Sequence, residues 1–150
     1  MKGRGVNARV RSVGTRPERL VRQALRQMRL HFRVNLKGIP GSPDIAFPRA
    51  KKAVLVHGCF WHVHPECAAR NLRGVHGSNG AFWQGKLARN VLRDRRDIAA
   101  LQALGWAVLI IWECECSDSK VLRGRLRKFL RDGAGAAGQE FTAPAPKEVV

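Results

Sequence analysis

The order of hydrophobic patterns along the chain predicts an α/β domain in which one central sheet of mixed strand direction carries helices on its faces. Helical periodicity opens the sequence, three short strand-like runs joined by short turns follow, and a long helical pattern then leads into the most apolar run of all. Short turns join antiparallel neighbours, whereas a strand-helix-strand unit favours a parallel crossover, so the sheet must contain both. The length of 150 residues with 45% hydrophobic content suits one domain with a real core.

Each element has its own signal. Residues 1–14, "MKGRGVNARVRSVG", are rich in Arg and Gly without an apolar period and read as a flexible basic arm. Thr15 can cap a helix whose first turn suits Pro17, and Leu20, Val21, Ala24, Leu25 and Met28 recur at helical spacing, opposite Arg19, Arg22, Arg26 and Arg29. "HFRVNL" alternates like a strand, "KGIPGSP" forces a turn, and "DIAFP" and "KAVLVHG" are two further strands, the second buried on both faces. From Gly58 to Gly80 periodicity is lost, as in a functional loop or one held by something other than a core. A helix resumes near Ala81 with Leu87, Val91, Ile98, Leu101 and Leu104 on one side, and Gly105 closes it. "WAVLIIWEC" is expected to be a central strand, and "SDSKVLRGRLRKFLRD" a final basic helix capped by Ser117. Residues 133–150 have the composition of a disordered tail.

Lys and Arg outnumber Asp and Glu by 28 to 11, a net charge of +17. Such an excess attracts nucleic acid by neutralising phosphates and releasing counterions. No apolar stretch reaches membrane-spanning length and the N-terminus lacks the apolar core of a signal peptide, so a cytoplasmic protein is expected. In a reducing compartment Cys59, Cys67, Cys114 and Cys116 are better read as ligands or thiols than as disulfides.

The chemistry concentrates in "VLVHGCFWHVHPEC", residues 54–67. Cys59, His64 and Cys67 share one irregular loop, and a fourth cysteine completes a Cys₃His set suited to structural, tetrahedral Zn²⁺ that would staple a loop of little apolar content. Unconnected buried thiols are the plainer alternative. Cys114 and Cys116 compete for the fourth position, since alternation along a strand puts both on one face. Asp44, just past the Pro-Gly turn, and His57, at the end of the next strand, can meet on one side of a sheet, as in nucleases that hold Mg²⁺ for phosphodiester hydrolysis. Taken alone, an Asp after such a turn is more often a cap or turn residue, and His57 and His62 could be core histidines or further zinc ligands. Phe60 and Trp61 in a loop can protrude as apolar wedges between base steps, while Phe82 is read as core.

In this order and spacing, "GSPDIAFP", "VLVHGCFWHVHPEC", "FWQGKLARNVLRDRRDI" and "LGWAVLIIWEC" resemble the very-short-patch-repair (Vsr) mismatch endonucleases over roughly residues 11 to 131. The resemblance implies a restriction-endonuclease-like fold of PD-(D/E)XK type over 11–132, with a structural zinc site. It implies a Mg²⁺-dependent enzyme that nicks double-stranded DNA 5′ to the thymine of a T·G mismatch left by deamination of 5-methylcytosine, initiating very short patch repair. Transferred position by position, it implies catalytic roles for Asp44, His57, His62 and Glu18. It places Mg²⁺ on Asp44 and the Val56 backbone carbonyl, and Zn²⁺ on Cys59, His64, Cys67 and Cys114 in preference to Cys116. It assigns intercalation to Phe60, Trp61 and Trp83 in preference to Phe82. Val56 stands where family members often carry Thr, which spares a backbone role and removes a hydroxyl. An asymmetric lesion needs no two-fold symmetry, so a monomer is expected, with other repair proteins as further partners. The rivals are an endonuclease of the same fold with another mismatch or site specificity, and a zinc-stapled DNA-binding module without catalysis.

Overall fold

The computed structural model describes residues 13–71 and 79–132. Residues 1–12 of the expected arm and the expected tail, 133–150, lie outside the described residues. The chain runs through α1 (Arg16–Gln27), β1 (Arg33–Val34), β2 (Ile45–Phe47), a 3-10 turn (Pro48–Ala50) and β3 (Lys52–His57). It continues through α2 (Pro65–Asn71), α3 (Gly80–Ala103), β4 (Ala107–Trp112), a second 3-10 turn (Glu113–Ser117) and α4 (Ser119–Arg131). Among the described residues no helix is long and apolar enough to cross a membrane.

The four strands form one mixed sheet in the order β1-β2-β3-β4. β1 and β2, and β2 and β3, pair antiparallel across their short turns, and the α3 crossover returns β4 parallel to β3, with Val54 opposite Leu109 and His57 opposite Trp112. The sequence placed its most apolar run at the centre, but β3 is the inner strand and β4 the edge among the described residues. Helices on both faces, rather than flanking strands, explain the apolar character of β4. The alternation is clear: Ile45, Val54, Val56, Leu109 and Ile111 point into a core with Val21, Ala24 and Leu25 of α1 and Leu122 and Leu126 of α4. The opposite face of the sheet carries Asp44, Leu55 and His57 towards α3, whose Leu87, Ile98 and Leu101 are buried.

Several boundaries differ from the sequence pattern. "HFRVNL" pairs over only two residues, both exposed, because among the described residues that edge has no covering element to reward a longer strand. The irregular segment after Gly58 contains the short helix α2. Leu104, expected on the apolar side of α3, is 53% exposed, because the helix has ended beside Gly105 in the left-handed region. Asp118, not Ser117, caps α4: its Oδ1 accepts from the N–H groups of Lys120 and Val121, while Ser117 Oγ donates back to the Cys114 carbonyl. At the other end of α4 the buried Lys52 Nζ donates to the carbonyls of Phe129, Leu130 and Asp132. A lysine ammonium thus satisfies the helix's last carbonyls and locks β3 to α4.

Candidate active site and thiol cluster

On the α3 side of the sheet the strand ends open into a cavity of about 620 Å³. The β-alternation explains which side chains reach it. Asp44 lies across from Leu55, and His57 is two residues further along β3, so both share the Leu55 face, while Val56 between them buries its side chain in the core. α1 contributes Glu18, the loop after β3 contributes Trp61 and His62, and α3 lends the stripe Lys86, Asn90, Arg93, Asp94 and Asp97.

The carboxylate side of the cavity is built by local capping. Thr15 Oγ1 caps α1 by accepting from the Glu18 N–H at 3.5 Å, and its hydroxyl donates to Glu18 Oε1 at 3.2 Å. Gly14 N–H and Arg22 Nη2 donate to Glu18 Oε2 at 2.8 and 3.1 Å, which accounts for a glutamate only 3% exposed. Asp44 Oδ2 accepts from the Val56 N–H at 2.7 Å. Burial pushes the Asp44 carboxyl up to about 6; the Val56 bond opposes that rise and the nearby Glu18 charge adds to it. In a strand the N–H and C=O of one residue face the same neighbour, so the Val56 carbonyl points to the Asp44 side, past Ile45, the first residue of β2, which pairs with Val54. A carboxylate and a carbonyl on one side, beside a second carboxylate, form an all-oxygen donor set that fits Mg²⁺.

The histidine side is a stack. His57 and His62 lie face to face at 3.9 Å between ring centroids and 7° between planes, and the Trp112 ring stands T-shaped to His57 with centroids 5.3 Å apart. Burial, reinforced by the charge of His62, pushes His57 down to about 3, so its imidazole is neutral. His62 Nδ1 meets Asp94 Oδ2 at 2.5 Å. A carboxylate there holds the proton on Nδ1 and leaves Nε2 free to accept one. Donor atoms of His57, His62 and Asp94 lie within 4.8 Å of one another, but stacked imidazoles have parallel lone pairs that do not converge on one ion. The arrangement suits proton transfer better than ligation.

Between His62 and His64 sits Val63 with φ 53, a left-handed conformation unfavourable for a β-branched residue. It turns His62 into the cavity and His64 the other way, where His64 Nδ1 lies 3.7, 3.3 and 3.5 Å from the sulfurs of Cys59, Cys67 and Cys114. All four donor atoms fall within 4.8 Å of one another. The edges of a tetrahedron with zinc-ligand bonds of about 2.0 to 2.3 Å are about 3.3 to 3.8 Å, so this soft S₃N set fits Zn²⁺. Burial pushes the thiols of Cys59 and Cys114 up, the latter to about 12. None of the four cysteines is in a disulfide. Cys114 and Cys116 were expected on one strand face, but both lie in the second 3-10 turn, where residues two apart point about 240° apart. Cys116 therefore enters the core while Cys114 joins the cluster.

At the cavity mouth Phe60, Trp61 and Trp83 touch one another, with ring centroids 5.1 to 5.8 Å apart. Lys86 Nζ lies 5.2 Å over the Trp61 ring and 5.4 Å over the Trp83 ring, and Asn90 Nδ2 donates to the Trp61 carbonyl at 3.1 Å. Phe82 is not core: among the described residues it is 61% exposed, edge-on to Trp83 in the first turn of α3.

Comparison with known proteins now bears on these features. The sequence model of a family described as DNA mismatch endonuclease Vsr matches residues 2–69. The type II nicking enzyme V.XorIIP of Xanthomonas oryzae pv. oryzae is 45% identical over 121 residues, covering 81% of this chain and 86% of that protein. The DNA mismatch endonuclease Vsr of Escherichia coli is 38% identical over 138 residues, covering 87% and 85%. The chain belongs to the Vsr family. Like other Vsr proteins it is a DNA endonuclease. Within this Vsr domain every candidate site residue named from the sequence except Cys116 and Phe82 borders the cavity, the cluster or the aromatic mouth. The sequence reading missed Asp94, Glu113 and the rest of the α3 stripe. Glu113 lines the cavity and its Oε2 accepts from the Cys59 N–H at 3.3 Å, tying the cluster to the active face. The signal for the stripe was present as polar residues at i, i+4, i+7, i+8 and i+11 beside the apolar side of α3.

Proposed function

We propose that this endonuclease nicks duplex DNA 5′ to the thymine of a T·G mismatch left by deamination of 5-methylcytosine, by Mg²⁺-dependent hydrolysis, and so initiates very short patch repair. The observation that carries the reading is the junction of three features in one cavity: the Asp44 carboxylate, the His57–His62–Asp94 stack and the aromatic mouth. Asp44 and the Val56 carbonyl would hold Mg²⁺, which supplies Lewis-acid polarisation of the scissile phosphate. Glu18 keeps a second negative charge beside them. His62 Nε2 takes a proton from the attacking water as its oxygen bonds to phosphorus; the bond to the leaving oxygen breaks, and that oxygen takes a proton from solvent. Asp94 steadies the His62 imidazolium, and neutral His57 contacts the phosphate. Cys59, His64, Cys67 and Cys114 would hold Zn²⁺ as a frame for the segment that carries both histidines.

Phe60, Trp61 and Trp83 form a wedge at the DNA-facing mouth. A mismatched step costs less to unstack than a paired one, so a wedge converts weak pairing into selectivity. The excess of cations supplies sequence-independent affinity for the backbone. The enzyme would act as a monomer in the cytoplasm, where bacterial DNA lies. Family membership sets aside the non-catalytic binding module, while the nicking-enzyme relatives keep a different mismatch or site specificity as the second reading. Strand-specific nicking of duplexes carrying T·G, other mismatches or C·G in varied flanks, with and without Mg²⁺, decides between them. Cleavage confined to T·G is expected; equal cleavage of another mismatch or of paired DNA would overturn the T·G assignment.

A further inference from the structure

The α3 stripe brings two cations to the cavity wall, Lys86 and Arg93, and they are placed differently. The Lys86 ammonium is occupied by the faces of Trp61 and Trp83. Arg93 is exposed and, among the described residues, has no carboxylate partner, although acidic side chains lie within a turn of it. Those carboxylates are taken: Asp94 by His62 at 2.5 Å and Asp97 by Arg96 at 3.2 Å. On α1, Arg22 is likewise engaged by Glu18 at 3.1 Å. An arginine left unneutralised at a wall that also holds the proton acceptor is placed for an anion from outside the chain. The anion that must enter this cavity is a phosphodiester.

We propose that Arg93 is a catalytic residue of the nicking reaction: from the histidine side of the cavity its guanidinium binds the non-bridging oxygens of the scissile phosphate and stabilises the negative charge that develops on them. The planar fork of the guanidinium matches two phosphate oxygens at once, which a single ammonium cannot do. As water adds to phosphorus those oxygens gain charge, so the contact tightens at the point where it lowers the barrier. Arg93 adjoins Asp94 in sequence, so the helix turn that aims the His62 imidazole also fixes the reach of the guanidinium.

The inference rests on phosphodiester cleavage in this cavity, but not on T·G specificity. The test uses the full-length protein and a duplex oligonucleotide with one T·G mismatch, or whichever duplex the unmutated protein nicks. Arg93→Ala and Arg93→Lys are compared with the unmutated protein in single-turnover nicking at saturating enzyme with Mg²⁺. Binding is measured by anisotropy with Ca²⁺ in place of Mg²⁺. Loss of one transition-state charge donor predicts that Arg93→Ala nicks about 10²- to 10³-fold more slowly. Its Kd should move by less than about tenfold, as for one phosphate contact among several. Arg93→Lys should recover part of the rate, and millimolar methylguanidinium should rescue Arg93→Ala without raising the rate of the unmutated protein. The side chain is exposed, so thermal stability should be unchanged. An Arg93→Ala rate within about threefold of the unmutated enzyme, or a loss wholly accounted for by Kd and absent at saturation, overturns the proposal. Failure of the wider reading would show instead in the unmutated protein, as nicking that ignores T·G or Mg²⁺.

Discussion

Replacing Asp44 by Asn should make the protein more stable while destroying its activity. In the folded chain burial raises the Asp44 carboxyl from 3.8 to about 6. The folded state therefore binds its proton more tightly than the unfolded state: the contribution to stability is complete below 3.8 and is lost as pH rises through 6. A shift of about two units corresponds to about 3 kcal/mol, an upper bound because the side chain is only partly shielded from water. Above pH 6, with no cation bound, the ionised Asp44 carries that cost. Asn removes the charge, and its amide oxygen can still accept from the Val56 N–H now bonded to Asp44 at 2.7 Å. Thermal unfolding at pH 8 in Mg²⁺-free buffer should show Asp44→Asn stabilised by about 1 to 3 kcal/mol, or about 3 to 8 °C in Tm. The gap should close near pH 4.5 as the native carboxyl protonates, and should narrow when millimolar Mg²⁺ is added to the unmutated protein alone. Nicking by the variant should be undetectable. If Asp44→Asn were no more stable at pH 8, or if the gap did not depend on pH, burial would not be what sets the proton affinity of this carboxyl.

Other outcomes are equally definite. A strong chelator should release one zinc per chain, detected with a colorimetric dye, and Mg²⁺ alone should not restore nicking; full activity after complete zinc release would remove the thiol cluster from the frame. Trp61→Ala should lower the preference for T·G over paired duplex by about tenfold, the scale of one lost stacking contact, whereas equal losses on both substrates would count against a wedge. Gly41→Ala should cost about 1 to 3 kcal/mol, because Gly41 has φ +71 and a Cβ there would sit 3.1 Å from Asp97 Cβ. Denaturant unfolding checks this; an unchanged midpoint would mean that the turn yields away from α3.

The parts of the fold that could be read from sequence were those where one local signal dominates. The α1 cap at Thr15, the parallel return of β4 and the two-faced burial of β3 each follow from periodicity or capping chemistry. The edge position of β4 was hidden because helices bury a strand as well as strands do. The side of the chain on which Cys114 and Cys116 lie was misjudged because a 3-10 turn replaces the pleat just past Trp112. In the site, residues crowded into one segment were visible, from His57 to Cys67, and so was Asp44 at its turn. Asp94 was not, since its importance depends on a contact with His62 across 32 residues, and an Asp within "RDRRD" reads as one more charge on a solvated helix face. Val56 shows the reverse case. Its side chain belongs to the core, so a methyl is at home there, and only its backbone faces Asp44.

The strained turn at Val63 has a consequence for how the protein can diversify. Because His62 and His64 flank that residue and face opposite ways, a change that loosens the thiol cluster should also shift His62 against Asp94, so that the cluster and the cavity wall change together. The α3 stripe is organised differently: it hangs on one continuous helix, which Asp94 ties to His62 and Asn90 to the Trp61 carbonyl. Descendants of such a chain can therefore drift at the stripe positions that neither His62 nor Trp61 holds, while Asp94 and the segment from His57 to Cys67 stay matched to each other.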